Sequence, residues 1–175
     1  EGVGGSLGKY VPNSDSAAKM LGEAQWAWLE QQLQQPAELR FIASSTQIVA
    51  DQKGMDEWGN YPLERERLLD LIGRTGAEGV ILLSGNVHFS ELSRTEEGSY
   101  PLYEFTSSGL THVNEEYPQA ANDYRVGEPV VKLNFGLVDI DWKADGEANV
   151  TFRVVGASGG QLFEKAISTE SLRTQ

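Results

Sequence analysis

Apolar positions along this chain follow two different periods, and the change between them divides it. From residue 21 onward the first stretch, "GEAQWAWLEQQLQQP", places Trp26, Leu29 and Leu33 at i, i+3 and i+7. That spacing predicts a helix with Glu23 near its start and Pro36 ending it. "LRFIASS" (39–45) reads as a short strand, and "DQKGMDEWGNYP" (51–62) as a loop with two glycines. Pro62 suits the first turn of a second helix, "PLERERLLDLIGR", with Leu68, Leu69 and Ile72 inward and Arg65 and Glu66 toward water. "TGAEG" breaks it before the continuous apolar run "VILLS".

The later chain alternates with period two. "KLNFGLVDIDW" and "EANVTFRVV" read as strands joined by a hairpin at Ala144-Asp145-Gly146, and "QLFEKAI" as a last strand after "GASGG". Val131, Leu133 and Phe135 alternate in one phase and Val138, Ile140 and Trp142 in the other, so a β-bulge is expected at Gly136. Helix, strand, helix, strand followed by alternating strands predicts an α/β domain on the α+β boundary. Its first strands should be parallel and its C-terminal portion antiparallel, layered as a sandwich with helices outside the sheets. Residues 1–20, polar and glycine-rich, read as an entering loop, and 21–175 as one domain or a large part of one.

Composition narrows the chemistry. With no cysteine, a metal here would rest on imidazole, carboxylate, amide, backbone or water. Its absence fits either redox compartment. A formal net charge of −12 without Lys/Arg clusters argues against nucleic-acid backbone as a partner. It also makes a phosphorylated substrate awkward unless a strong positive charge, such as metal ions, offsets the protein's own field. No run is long and apolar enough for a membrane span, and the N-terminus as it stands is not a signal peptide.

In "VILLSGNVHFSELSR" the apolar run ends in a small polar loop carrying one of the two histidines. Ligands of open α/β sheets collect beyond the carboxyl ends of the strands. Gly85 would let the chain turn there, and alternation could aim Asn86 and His88 the same way. Amide oxygen and imidazole both ligate metals, but two groups do not complete a site. The plainer reading has Asn86 capping the turn and His88 hydrogen-bonded at the surface. Trp26 and Trp28 read as core and partial core, Trp58 as a cover for the core, and Arg65 and Arg67 as a solvated helix face. No phosphate-binding glycine loop, serine nucleophile elbow or dinucleotide fingerprint occurs.

Four blocks in order, "GEAQWAWLEQQL", "EWGNYPLERERLLDLI", "GVILLSGNVHFSELSR" and "YPLYEFTSSGLTH", extended by "NFGLVDIDW", resemble the C-terminal half of the alkaline phosphatase D-like (PhoD-like) metallophosphoesterases. The resemblance implies part of a four-layer αββα sandwich. It implies phosphate mono- or diester hydrolysis by a metal-bound hydroxide at a binuclear centre of divalent or trivalent ions (Ca, Fe, Zn, Mn or Co). His88 would ligate one ion and Asn86 face the other, although family members usually carry Asp where Asn86 stands. Gln47, Glu91 and His112 would contact substrate or back a ligand, Glu91 as an acceptor orienting the His88 ring. A metal-binding histidine that relatives place after the first strand has no counterpart; Ser44, Ser45 and Gln47 stand there. The family's upstream metal motifs do not occur, so the missing N-terminal half is an implied partner and the chain alone is expected to be inactive. A periplasmic or secreted location is implied in the same way. The alternative is a non-catalytic domain that binds a phosphorylated ligand or a partner through a degenerate metal site.

Overall fold

The structure, a computed structural model, describes residues 10–174. Residues 1–9 of the expected entering loop therefore lie outside the described residues, and 10–20 contain no helix or strand. Helix α1 (Glu23–Leu33) buries Trp26 and Leu33, with Leu29 packed against the core. Its start is closed by the Gln25 side chain, whose oxygen accepts from Gly22 N at 3.0 Å. Trp28, on the same helix, is 60% exposed rather than partial core. Strand β1 (Arg40–Ala43) follows, then α2 (Pro62–Arg74) with its proline in the first turn. Next come β2 (Val80–Ser84), β3 (Ser90–Thr95) and β4 (Leu102–Ser107). Three strands end the chain: β5 (Asn134–Trp142), β6 (Ala148–Gly156) and β7 (Gln161–Ser168).

The first sheet has the order β1-β2-β4-β3, with β1, β2 and β4 parallel and β3 antiparallel to β4. The outer edge of β3 is covered by backbone of 124–130, through Val126 N to Leu92 O and Arg94 N to Tyr124 O, each 2.8 Å. The second sheet, β5-β6-β7, is antiparallel throughout. Register puts Ile81, Tyr103, Leu83 and Phe105 on one face of the first sheet. Tyr103 and Phe105 meet Phe152 of the second sheet at centroid distances of 6.3 and 5.3 Å, so the sheets pack face to face. On the opposite face, the Glu104 carboxylate accepts from Ile48 N and Val49 N, in the loop that follows β1. α2 holds that same loop. Helices and their loop, first sheet and second sheet make three layers. The expected fourth layer is not present among the described residues, and Phe135 and Leu137 stand 41% and 38% exposed on β5.

Two expectations need correction. The β5–β6 register is continuous from Asn134↔Gly156 to Trp142↔Ala148, so Gly136 carries no bulge; the irregularity lies at Val154/Val155, opposite β7. Gly136 faces inward, where a Cβ would come 2.7 Å from Phe105 Cε1. The change of phase arises because β5 carries apolar residues on both faces with a glycine where the sheets touch. Arg65 is likewise not solvated. It is buried, with Nε donating to Ile48 O (2.8 Å), Nη2 to Val49 O (3.1 Å) and Nη1 to Glu97 (2.6 Å). Arg67 pairs with Glu23 of α1 at 2.8 Å, reaches Glu64 on its own helix at 3.8 Å, and lies over the Trp26 ring. Trp58 is core, as expected, and its Nε1 donates to Ser44 Oγ at 3.0 Å.

Candidate functional site

β2 is buried over most of its length because helices cover one face of the sheet and the second sheet covers the other, which explains its unbroken apolar run. At Ser84 the chain must cross the end of β4 to begin β3. The crossing is made by residues in left-handed backbone. Asn86 (φ 71°) and His88 (φ 60°) are the only non-glycine residues with positive φ among the described residues. Gly85 is not one of them, and a Cβ there would meet Ser45 O and Ser108 Oγ at an ordinary 3.8 Å. The turn therefore belongs to Asn and His, two of the side chains most tolerant of this conformation. Val87 and Phe89 are buried with Met55, while Asn86 is exposed and His88 half-buried. The loop is pinned by its odd-numbered residues and presents its even-numbered ones at the carboxyl edge of the sheet.

His112 comes to the same place from the segment after β4. The two imidazole rings touch, with centroids 3.9 Å apart and planes tilted 60°. Backbone reinforces the meeting, since Asn114 N donates to His88 O at 2.9 Å. His112 Nδ1 is 2.9 Å from Thr111 Oγ1.

Gln47 and Glu91 are not at this rim. Both are buried beneath it, in a charged network with Lys53. Lys53 Nζ, wholly buried, donates to Glu91 Oε1 at 2.5 Å and to Gln47 Oε1 at 2.7 Å. Gln47 Nε2 donates to the same Glu91 oxygen and to Thr106 Oγ1. Arg125 Nε takes the other Glu91 oxygen at 2.7 Å. Both carboxylate oxygens are thus held by other side chains, and Glu91 serves the network rather than the His88 ring. Burial pushes the Glu91 pKa up, but Lys53 and then Arg125 outweigh it and hold the carboxyl below its usual value. Lys53 also lies 5.6 Å from the centre of the Phe89 ring, so the network braces the histidine loop from behind.

Nearby, Glu57 Oε1 accepts from Lys53 N and Gly54 N, while its Oε2 is buried without a partner. Burial raises the Glu57 pKa to about 7, partly offset by Lys53 and the two amides. Glu104 is raised too, by burial that its two backbone donors only partly counter. Lys53 and Arg125 carried no sequence signal. They sit in polar loops that read as surface, and only the third dimension brings them onto Glu91.

Two imidazoles in contact and a neighbouring exposed amide are chemically suited to a metal ion. They form a partial donor set: among the described residues no three His, Cys, Asp or Glu side chains gather into a site. Ser44 and Ser45 add only hydroxyls at the end of β1.

Parallel strands ending in a histidine-bearing rim, with a second sheet packed behind, define a layered α/β protein whose two histidine-bearing loops meet at one sheet edge. The chain belongs to the PhoD-like phosphatase family, whose profile matches residues 8–153. Among solved structures it is similar to one described as "Structure of PhoD", with a TM-score of 0.64 and 19% identity. That similarity covers 93% of this chain and 37% of the other, so the chain spans little more than a third of that protein. No curated protein sequence matches the chain.

Proposed function

We propose that this chain supplies one wall of a metal-dependent phosphoesterase site, with His88 ligating one ion and Asn86 facing a second. What carries the reading is the presentation of His88 from a left-handed loop at the sheet's carboxyl edge, over a braced ionic network, in a member of a phosphatase family. Ions held there would supply the positive charge and water activation that phosphoester hydrolysis needs. The chain's own part is to fix a neutral nitrogen donor at a set position and to keep the loop from collapsing. Asn86 offers an amide oxygen without charge, so its ion is bound less tightly than an aspartate would bind it. In the intact protein, His88→Ala should abolish cleavage of nitrophenyl phosphate mono- or diesters and lower the number of bound ions per chain. Full activity in that variant removes the proposal. Asn86→Asp should raise metal affinity. No metal bound, with a phosphorylated ligand still captured, would instead favour the non-catalytic reading that the neutral Asn86 also suits.

The remaining ligands would come from the rest of the domain, for which two surfaces are prepared. β1 is an edge strand; Arg40 N at its start donates to Gly79 O and Ser44 N just past its end to Leu83 O, while Phe41 (40% exposed) and Trp28 stand beside it uncovered. Phe135 and Leu137 form the second surface. A polypeptide strand added along β1 and a layer over β5 would close both. An exported location is proposed on the family likeness alone; recovery of the intact protein only in the cytoplasmic fraction would remove it.

A further inference from the structure

We propose that Asn149, on the outer face of the second sheet, is the acceptor of an N-linked glycan added as the chain is exported. The inference rests on the exported location proposed above and is independent of the metal reading of the rim.

Asn149-Val150-Thr151 is the chain's single Asn-x-Ser/Thr triplet, and its middle residue is not proline. Glu147 stands two residues before it, the acid that bacterial periplasmic oligosaccharyltransferases require as well. The fold presents this triplet openly. Asn149 is the second residue of β6, just past a hairpin that Lys143 N closes on Glu147 O at 2.7 Å. Its side chain is exposed and makes no hydrogen bond among the described residues, while Val150 beside it is buried. The amide therefore has no structural task that a sugar would interrupt.

Register divides the outer face of the second sheet into two ends. Near the rim it is apolar, where Phe135, paired with Val155, and Leu137 stand exposed. From Asp139, which pairs with Arg153 at 2.6 Å, it turns polar, and Asn149 lies between Asp141 of β5 and Ser168 of β7. A layer covering Phe135 and Leu137 finds no apolar surface to bury at that polar end. β5 begins beside the rim, where Asn134 accepts from Ser90 Oγ and donates to Gly109 O. The run of strand from there to Asp141 sets Asn149 about 23 Å from the rim, clear of both histidine loops. The donor is a lipid-linked oligosaccharide whose first sugar is joined to pyrophosphate. Asn149 Nδ2 bonds to the anomeric carbon as that carbon's bond to the pyrophosphate oxygen breaks. The lipid pyrophosphate leaves with the electron pair, and one amide proton passes to a base of the transferase. Once folded, β6 is paired on both sides, so transfer belongs to the unpaired chain during export.

The test places the 175-residue chain behind a secretion signal in a glycosylating eukaryotic host. The secreted chain should carry the mass of one core glycan. Peptide N-glycosidase should remove it and convert the acceptor to aspartate, which peptide mass spectra locate. Asn149→Gln and Thr151→Ala should both lose the added mass, while Thr151→Ser, which keeps the hydroxyl, should retain it. The glycosylated chain should melt no lower than the same chain made without the glycan, because the asparagine is exposed and unbonded. A secreted, folded chain left bare at Asn149 overturns the proposal, as does a glycan that persists in both loss variants. A glycosylated chain that melts well below the bare one overturns it too, since the side chain would then be needed for packing. If the secreted chain is glycosylated but the native protein occurs only in the cytoplasmic fraction, the exported location falls and the native modification with it. A bare secreted chain removes the acceptor alone and leaves the location and the metal reading untouched.

Discussion

Lys53 is the residue on which the rim depends most. Its ammonium is fully buried and neutralised by Glu91, which Arg125 also holds. Removing one member of such a set leaves an uncompensated charge in the interior, at about 3–5 kcal/mol. Glu91→Gln should therefore lower stability by that amount in urea denaturation, and a Lys53→Met, Glu91→Leu double variant should be less damaged than the two single changes together. The two neighbouring carboxylates act with opposite sign on pH. Glu91 is held below its usual pKa, so its contribution is present at neutral pH and disappears as acid protonates it. Glu57 is raised from 4.5 to about 7, so the folded chain keeps a proton that the unfolded chain releases. Its effect is to make stability fall as pH rises from about 4.5 to about 7, by up to ~3 kcal/mol. Glu57→Gln should flatten that decline when urea midpoints at pH 5 and pH 8 are compared; an unchanged difference would show that another group causes it.

Elements here are held as much by single side chains as by their own hydrogen bonds. The guanidinium of Arg65 gathers the carbonyls of Ile48 and Val49 while Glu104 gathers the amides of the same residues. Loop 44–57 is thus clamped between α2 and β4. Arg65→Lys keeps the charge but not the planar fork. It should cost about 1.5–3 kcal/mol and speed hydrogen exchange in the loop more than in β2, read by mass spectrometry. Between the sheets the control is steric. Gly136→Ala would press a methyl into Phe105 and Ser107, both part of β4. An overpacking cost of about 1–3 kcal/mol is expected in thermal or urea unfolding. The same substitution at Gly146, where a Cβ meets nothing within 4 Å but φ is +88°, should cost less, through backbone strain only.

For the whole molecule, the uncovered apolar surface is the governing feature. Trp28, Phe41, Phe135 and Leu137 are exposed on a chain that spans 37% of the structure it is similar to. Such surface on a lone chain favours dye binding and self-association. Trp28→Ser with Phe41→Ser should reduce ANS fluorescence and raise the soluble fraction while changing stability by no more than about 0.5 kcal/mol. If both side chains pack against the rest of the domain, the same pair of changes in the intact protein should weaken it clearly.

Much of the architecture was legible from one dimension. Helical spacing located α1 and α2, period-two alternation located β5 to β7, and the apolar run ending at Ser84 marked the strand that carries the histidine loop. These follow from local periodicity, because each segment must bury one face or stripe of its own. Tertiary structure alone decided that Arg65 and Lys53 turn inward, that Gly136 marks a contact between sheets, and that Gln47 and Glu91 brace the rim instead of lining it. It also brought His112 onto His88. The reason is the same in each case: a charge or a histidine is placed by partners far away in the chain, and the pattern of its immediate neighbours holds no record of them.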